Sequence, residues 1–317
     1  MLTAEFRTEK VSDRITRIYA FSTELMYLVE GEENAVLLDS GRGIGFVKPL
    51  IDRLTDKPLK VLLTHGHVDH AMGASEFPVG TVYINKEDAY IYQKHCSWEF
   101  RKSGLGTMPG GELVTEEDFT PVVSIDEWQD LKEGDRFDLG GISVEIYACP
   151  GHTRGSVVML LPEERTVLLG DACNGFTFLF QDYSLSVEEY RESLYQLKEK
   201  LNGKFDTVLA SHGDGKLSKE VINDNIRVCD QILAGEAEAI PFAFGGDRGL
   251  IAQKGVQPGH GNIVYNQEHI WKNSAEVNPY AVLSEDEILE RLSTARTHSA
   301  QGKQREAKAA ISEMRSR

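Results

Sequence analysis

The chain has 317 residues, 41% hydrophobic and 26% charged, with 34 Lys+Arg against 50 Asp+Glu and so a formal charge of −16. That length and balance fit a folded chain of one large domain or two ordinary ones and exclude a disordered one. No run of about 18 apolar residues occurs, which excludes a spanning helix, and the acidic balance argues against nucleic acid or an anionic membrane as partner. The start, MLTAEFRTEK, has no basic stretch leading into an apolar one, so no signal peptide is expected. Four separated cysteines (Cys96, Cys149, Cys173, Cys229) form no CxxC, so neither a disulfide framework nor a Cys-type zinc site is expected, and a cytoplasmic location follows.

In chain order, Arg14 to Ala20 and Glu24 to Val29 read as strands, with a hairpin turn at Gly31-Glu32-Glu33-Asn34 into Ala35–Leu38. Gly41, Gly43 and Gly45 lead to a short amphipathic helix over 46–54. Lys60-Val61-Leu62-Leu63-Thr64 is apolar on consecutive positions, the mark of a strand buried on both faces. Thr81–Ile84 is another short strand and Lys86–Gln93 a helix. From about 95 to 120 the pattern fails, and this Gly-rich stretch near Trp98, Phe100 and Met108 reads equally as a lid and as a solvent-exposed insertion. Strands resume at Phe137–Leu139, Ser143–Ala148, Ser156–Leu161 and Thr166–Leu169. Ser186-Val187-Glu188-Glu189 is a capping box opening a helix with Tyr190, Leu194, Leu197 and Leu201 on one face. Phe205–Ala210 is a last buried strand, followed by a helix over 218–233. The region 240–271 reads as irregular. Residues 280–317, with a second capping box at Ser284, read as an appended helical tail beyond a domain at 1–279, suited to packing on the domain or pairing with another subunit.

Thr64-His65-Gly66-His67-Val68-Asp69-His70 sets three imidazoles and a carboxylate directly after an apolar strand. Packing so many groups that demand hydrogen-bond partners is hard without a cation, so the motif predicts a metal site. Three further candidates stand where apolar strands stop at a small residue: His152 in Pro150-Gly151-His152-Thr153, Asp171 in Gly170-Asp171, and His212 in Ser211-His212-Gly213. Each alone reads as a turn cap. Together they make five histidines and two aspartates without a cysteine, a donor set for zinc, iron or manganese.

With those residues in place, the chain resembles the metallo-β-lactamase-fold hydrolases over about residues 10–235. The resemblance implies an α/β (α+β) fold, a four-layer αββα sandwich with metals at one edge between the sheets. It implies that His65, His67 and His152 hold one metal, that Asp69, His70 and His212 hold a second, and that Asp171 bridges them. Two divalent ions, Zn2+ ahead of Fe or Mn, would then acidify water for attack on a carbonyl or phosphorus. Asp69 serves in this scheme as both ligand and catalytic proton shuttle.

Departures narrow the branch. β-Lactamases of this fold lack His70 or Asp171, flavodiiron oxidoreductases carry glutamate where His67 stands, and glyoxalase II enzymes continue after the bridging aspartate as GDxLF. Acyl-homoserine lactonases place tyrosine where this chain has Asn174. RNA-processing members carry a basic arm, which the −16 charge does not suggest. A hydrolase of a small ester, lactone or thioester is the first reading, with a small-molecule substrate as partner. A phosphodiesterase or phosphatase on the same centre is the second, and a mononuclear iron dioxygenase of the persulfide dioxygenase kind the third. Asn174, Trp98 and Phe176 are the candidate substrate contacts. Phe176, Phe178 and Phe180 alternate, which reads first as core packing on one sheet face, and Phe242 and Phe244 offer a weak third wall. Cys149 and Cys173 read as buried residues rather than ligands. His95, His260, His269 and His298 read as ordinary surface or loop histidines, and Arg154 as the partner of a surface acid ahead of a substrate carboxylate.

Overall fold

The structure is a computed structural model that describes residues 6–22, 24–108 and 110–272; the tail expected at 280–317 lies outside the described residues. The first half comprises β1 (Arg7–Lys10), β2 (Ile15–Tyr19), β3 (Leu25–Glu30), β4 (Ala35–Leu38), α1 (Lys48–Leu54), β5 (Leu59–Leu62), α2 (Val68–Ala71), β6 (Val82–Ile84), α3 (Ala89–His95), α4 (Trp98–Lys102) and β7 (Gln129–Asp130). Its seven strands lie side by side in chain order. The first four are antiparallel, joined by short turns such as Gly31 N–H to Asn34 O, 2.9 Å. From β4 onward pairing is parallel, because each connection now crosses over through helical chain.

The second half comprises β8 (Arg136–Asp138), β9 (Ser143–Ala148), β10 (Val157–Leu161), β11 (Thr166–Leu168), β12 (Thr177–Leu179), α5 (Val187–Leu201), β13 (Thr207–Leu209), β14 (Lys216–Leu217), α6 (Val221–Leu233), β15 (Ile240–Phe244), β16 (Asp247–Ile251) and β17 (Ile263–Tyr265). A six-stranded sheet runs β14-β13-β11-β10-β9-β8. The capping box forms as predicted: Ser186 Oγ accepts from Glu189 N–H at 3.2 Å and Ser186 N–H donates to Glu189 Oε2 at 3.3 Å. No helix of the described residues is long and apolar enough to cross a membrane.

Side-chain alternation explains the layers. Along β3, Leu25, Tyr27 and Val29 face one way and Met26 and Leu28 the other. The first set meets Val157, Met159 and Leu161 of β10 in a core between the two large sheets. The second packs under Ile51 of α1 and Tyr92 of α3. On the far side Val158 and Leu160 meet Tyr190, Leu194 and Leu197 of α5 and Val228 of α6. Helix, sheet, sheet, helix is therefore the fold, and central strands such as β3, β4 and β10 read as unbroken apolar runs because both their faces are covered.

Two expectations are corrected. The region 240–271 is not irregular: β15, β16 and β17 join β12 in a third sheet ordered β12-β17-β16-β15. Its strands are three to five residues long, below the length at which alternation stands out. The stretch 95–120 is not a free insertion either. Leu105, Val114 and Phe119 pack on Ile44, and the buried Arg101 guanidinium donates to Thr120 O at 2.7 Å and Gly43 O at 3.3 Å.

Candidate metal centre

Five apolar strands end at one rim between the large sheets, and each delivers a polar residue there. β4 gives Asp39, β5 gives His65 to His70, β9 leads to His152, β11 to Asp171 and β13 to His212. Cross-links fix the rim: Val157 N–H donates to Thr64 O at 2.9 Å and Leu25 N–H to Ser211 O at 2.8 Å. Gly170 sits at φ 56° with Thr64 Cβ only 3.0 Å from where its own Cβ would lie, so the turn that presents Asp171 has room for glycine alone.

All seven candidate donors converge. His65 Nε2 lies 3.0 Å and His152 Nε2 2.9 Å from His67 Nδ1. His70 Nε2 and His212 Nε2 are 3.3 Å apart, and each is 3.8 Å from Asp69 Oδ2. Asp171 Oδ2 sits between the two groups, 3.9 Å from His152 Nε2, 3.5 Å from His70 Nε2 and 3.3 Å from His212 Nε2. Three sets satisfy metal-ligand spacing: His65–His67–His152, His65–His70–Asp171 and Asp69–His70–His212.

The outer partners show that these donors fit a cation. His152 Nδ1–H donates to Phe178 O at 2.8 Å, and His70 Nδ1–H to Asp39 Oδ2 at 2.9 Å. Thr64 Oγ1–H donates to the Asp39 carboxylate, so that oxygen accepts from His65 Nδ1–H at 3.0 Å. With the outer nitrogens carrying the protons, the Nε2 lone pairs of His65, His70 and His152 all turn inward. Lone pairs converging in a buried space repel unless a positive charge joins them. His67 Nε2, also buried, has no hydrogen-bond partner among the described residues.

Electrostatics carry the same demand. Burial, reinforced by the neighbouring imidazoles, holds His65 and His67 well below the ordinary histidine range, and burial lowers His152 as well. On the other side, burial is outweighed: Asp69, Asp39 and Asp171 hold His70 well above its ordinary value, and Asp171 and Asp69 bring His212 to about 9. Burial would raise Asp171 too, but His212 and His70 hold it well below the carboxylate range. The side formed by Asp69, Asp171 and His212 is the open one, their side chains being 25%, 15% and 38% exposed while His65, His70 and His152 are buried.

Three positioning residues, Asp39, Asp88 and His95, escaped the sequence reading. Asp39, at φ 60°, orients both Thr64 and His70. Asp88, fully buried, accepts from Gly66 N–H at 2.8 Å, Thr153 Oγ1–H at 2.8 Å and Gly155 N–H at 2.7 Å, and so ties the His65–His70 loop to the loop after His152. Burial pushes Asp88 up to about 6 against the pull of those three donors. His95 is no surface histidine: it is buried, accepts from Val68 N–H at 3.3 Å, and stacks between His67 (4.8 Å) and Phe100 (3.8 Å). Tyr183 stands edge-on to His67 at 5.3 Å. Asp39 had a readable signal, an acid closing an apolar strand before Gly41; Asp88 and His95 had none.

The candidate substrate contacts divide. Asn174 Nδ2–H donates to Asp171 Oδ1 at 3.1 Å while its Oδ1 accepts from Phe176 N–H at 2.7 Å, so it braces Asp171. Phe176 is 38% exposed beside Phe178. Trp98 packs against Phe119 in the satellite cluster instead, and the ring leading from that loop to the ligands is Phe100. Cys173 is buried in the core against Asn225, and Cys149 is buried with it. His260 pairs with Asp224 at 2.7 Å. His298 lies outside the described residues.

Comparison with known proteins places this centre. The profile of the metallo-beta-lactamase superfamily matches residues 21–212, and the chain belongs to that superfamily. The fold and the clustered His and Asp donors are in keeping with that membership. An uncharacterized Mycobacterium tuberculosis protein is 37% identical over 130 residues, 39% of this chain and 54% of that protein, so the match spans about half the length of such relatives. Hydroxyacylglutathione hydrolase GloC of Haemophilus influenzae is 28% identical over 217 residues, 63% of this chain and 89% of its own. Acyl-coenzyme A thioesterase MBLAC2 of Gallus gallus is 26% identical over 203 residues, 59% of this chain and 71% of its own. Among solved structures, the metallo-beta-lactamase from Pontibacter korlensis superposes with a TM-score of 0.50 at 18% identity, covering 70% of this chain and 98% of that one, and shares the fold.

Proposed function

We propose that the protein hydrolyses thioesters of small organic acids with two zinc ions at this centre. The observation that carries the reading is the placement of Asp171 Oδ2 between the His65–His67–His152 set and the Asp69–His70–His212 set. His65, His67 and His152 would hold one ion, Asp69, His70 and His212 the other, and Asp171 both. Nitrogen and oxygen donors without thiolate suit zinc in a catalytic site. The thioester class is supported by GloC and MBLAC2, whose names describe hydrolysis of acyl–thiol conjugates of two different carriers.

When bound, divalent cations there supply Lewis-acid chemistry, polarising a carbonyl oxygen and acidifying water. The chain's own residues do the rest. Asp39 and the Phe178 carbonyl hold His70 and His152 in one tautomer. Asn174 keeps Asp171 from rotating. Tyr183 and His95 wall off His67 from solvent. Asp69, partly exposed on the open side, is placed to accept the proton of the attacking water at a carboxylate oxygen and return it to the leaving sulfur. Burial would raise this carboxyl, but His70, His212 and Arg42 keep it below its ordinary value, ionised and ready to accept.

Removing the metal tests this. Dialysis against a chelator is expected to abolish thiol release from acyl thioesters, and added Zn2+ to restore it. Parallel assays with nitrophenyl phosphates and with persulfide plus oxygen separate the other chemistries of this donor set. Turnover of phosphate esters alone, or sulfur-dependent oxygen uptake with one iron per chain, contradicts the thioesterase reading.

A further inference from the structure

We propose that the phenylalanine cluster of the small third sheet is the subsite for an uncharged, apolar acyl group of the substrate. Phe178 on β12 and Phe242 and Phe244 on β15 lie on the sheet's two edge strands, yet Phe178 is 5.6 Å from Phe242 and 5.5 Å from Phe244, ring centre to ring centre. Across a flat four-stranded sheet those edges would stand about 14 Å apart, so the sheet curls until they meet. Gly249 on β16 lets it close: a Cβ there would stand 2.7 Å from Phe180 Cβ. Phe176 and Phe180 complete the array, at 5.5 Å and 5.6 Å from Phe242.

The strand register explains why these rings share a face. Phe242 is opposite Gly249 and Phe244 opposite Asp247, while Phe178 is opposite Val264. The other face, with Leu179, Ile263 and Tyr265, is spent on the main core. Aromatic burial therefore grades outward: Phe180 is 3% exposed, Phe176 38% and Phe244 60%. Core packing accounts for Phe180 but leaves two large rings in water, the signature of a surface that binds something apolar.

Two connections tie the array to the metal centre. The carbonyl of Phe178 holds His152, and the amide of Phe176 is held by Asn174, which in turn holds Asp171. An acyl group whose carbonyl sits at the open side of the centre would extend past Asn174 towards this aromatic face. Asp247 at the hairpin tip opposes Phe244. A carboxylate at the far end of the acyl group would meet this like charge, which selects a neutral chain or ring.

The inference rests on the thioesterase reading for its substrate, so two measurements are paired on the full chain. The first is kcat/KM for acetyl, butyryl, octanoyl and phenylacetyl thioesters of N-acetylcysteamine. The wild type should favour octanoyl over acetyl by about 100-fold, Phe244→Ser should cut that ratio about tenfold, and Phe244→Leu should largely keep it. The second is ligand-detected NMR of octanamide, which should bind the wild type and be lost in Phe242→Ala. Octanamide binding lost in the variant while no thioester is cleaved would sustain the subsite and remove the thioesterase reading. Thioesters cleaved without regard to chain length, or octanamide failing to bind the wild type because residues 273–317 or a second copy cover the rings, would overturn the subsite.

Discussion

Replacing His67 by alanine is expected to lower thioester turnover by more than about 100-fold, since loss of an outer partner alone costs 10- to 100-fold in related metal sites. The fold should survive. In the metal-free protein His67 brings its Nδ1 within 3.0 Å of two inward-facing nitrogens and leaves its own Nε2 buried without a partner among the described residues. Deleting the ring relieves that crowding, which offsets the cavity it leaves between His95 and Tyr183. Metal-free wild type and variant should therefore unfold within about 1 kcal/mol of each other, whereas the zinc-loaded wild type gains about 4 kcal/mol at a thousandfold excess over its dissociation constant. The check is urea unfolding with and without Zn2+, beside steady-state rates. A variant with wild-type rates at full metal loading would contradict the mechanism.

Asp88→Asn should cost the metal-loaded protein about 2–4 kcal/mol. The carboxylate accepts Gly155 N–H on one oxygen and Gly66 N–H with the Thr153 hydroxyl on the other. An amide placed either way turns its NH2 against a backbone N–H, leaving buried donors face to face. The damage would not stay local. Gly66 sits between His65 and His67, and Thr153 follows His152, so the side chain is the joint between two ligand loops from opposite halves of the chain. Weaker zinc affinity, by roughly 10- to 100-fold, should accompany the lost stability. Equal urea midpoints and equal zinc affinities for the two proteins would show that the joint carries no load.

These two residues also mark how far the sequence could be read. His67 was legible because His65, His67, Asp69 and His70 are neighbours in the chain, after a strand whose apolar run announces itself. His152, Asp171 and His212 were legible because each closes such a strand. The layers followed from the same runs, since strands covered on both faces are apolar on both. Asp88 was not legible: its meaning lies in three donors 22 to 67 residues away, and nothing in its neighbourhood shows them. His95 looked ordinary for the same reason, its role being a stack on a ring 28 positions earlier. The third sheet was hidden because β12 pairs with β17 over more than eighty residues, and neither strand exceeds three residues. Phe176, Phe178 and Phe180 gave an alternation whose face could not be assigned without β15 and its two phenylalanines.

The most direct test of the proposed binuclear centre is metal content per chain, measured by elemental analysis on the 317-residue chain purified without chelator. The wild type should hold about two divalent ions and His212→Ala about one, since the variant loses a donor from the open set while keeping His65, His67 and His152 in place. Less than one ion in the wild type after zinc loading, or an unchanged count in the variant, would contradict it.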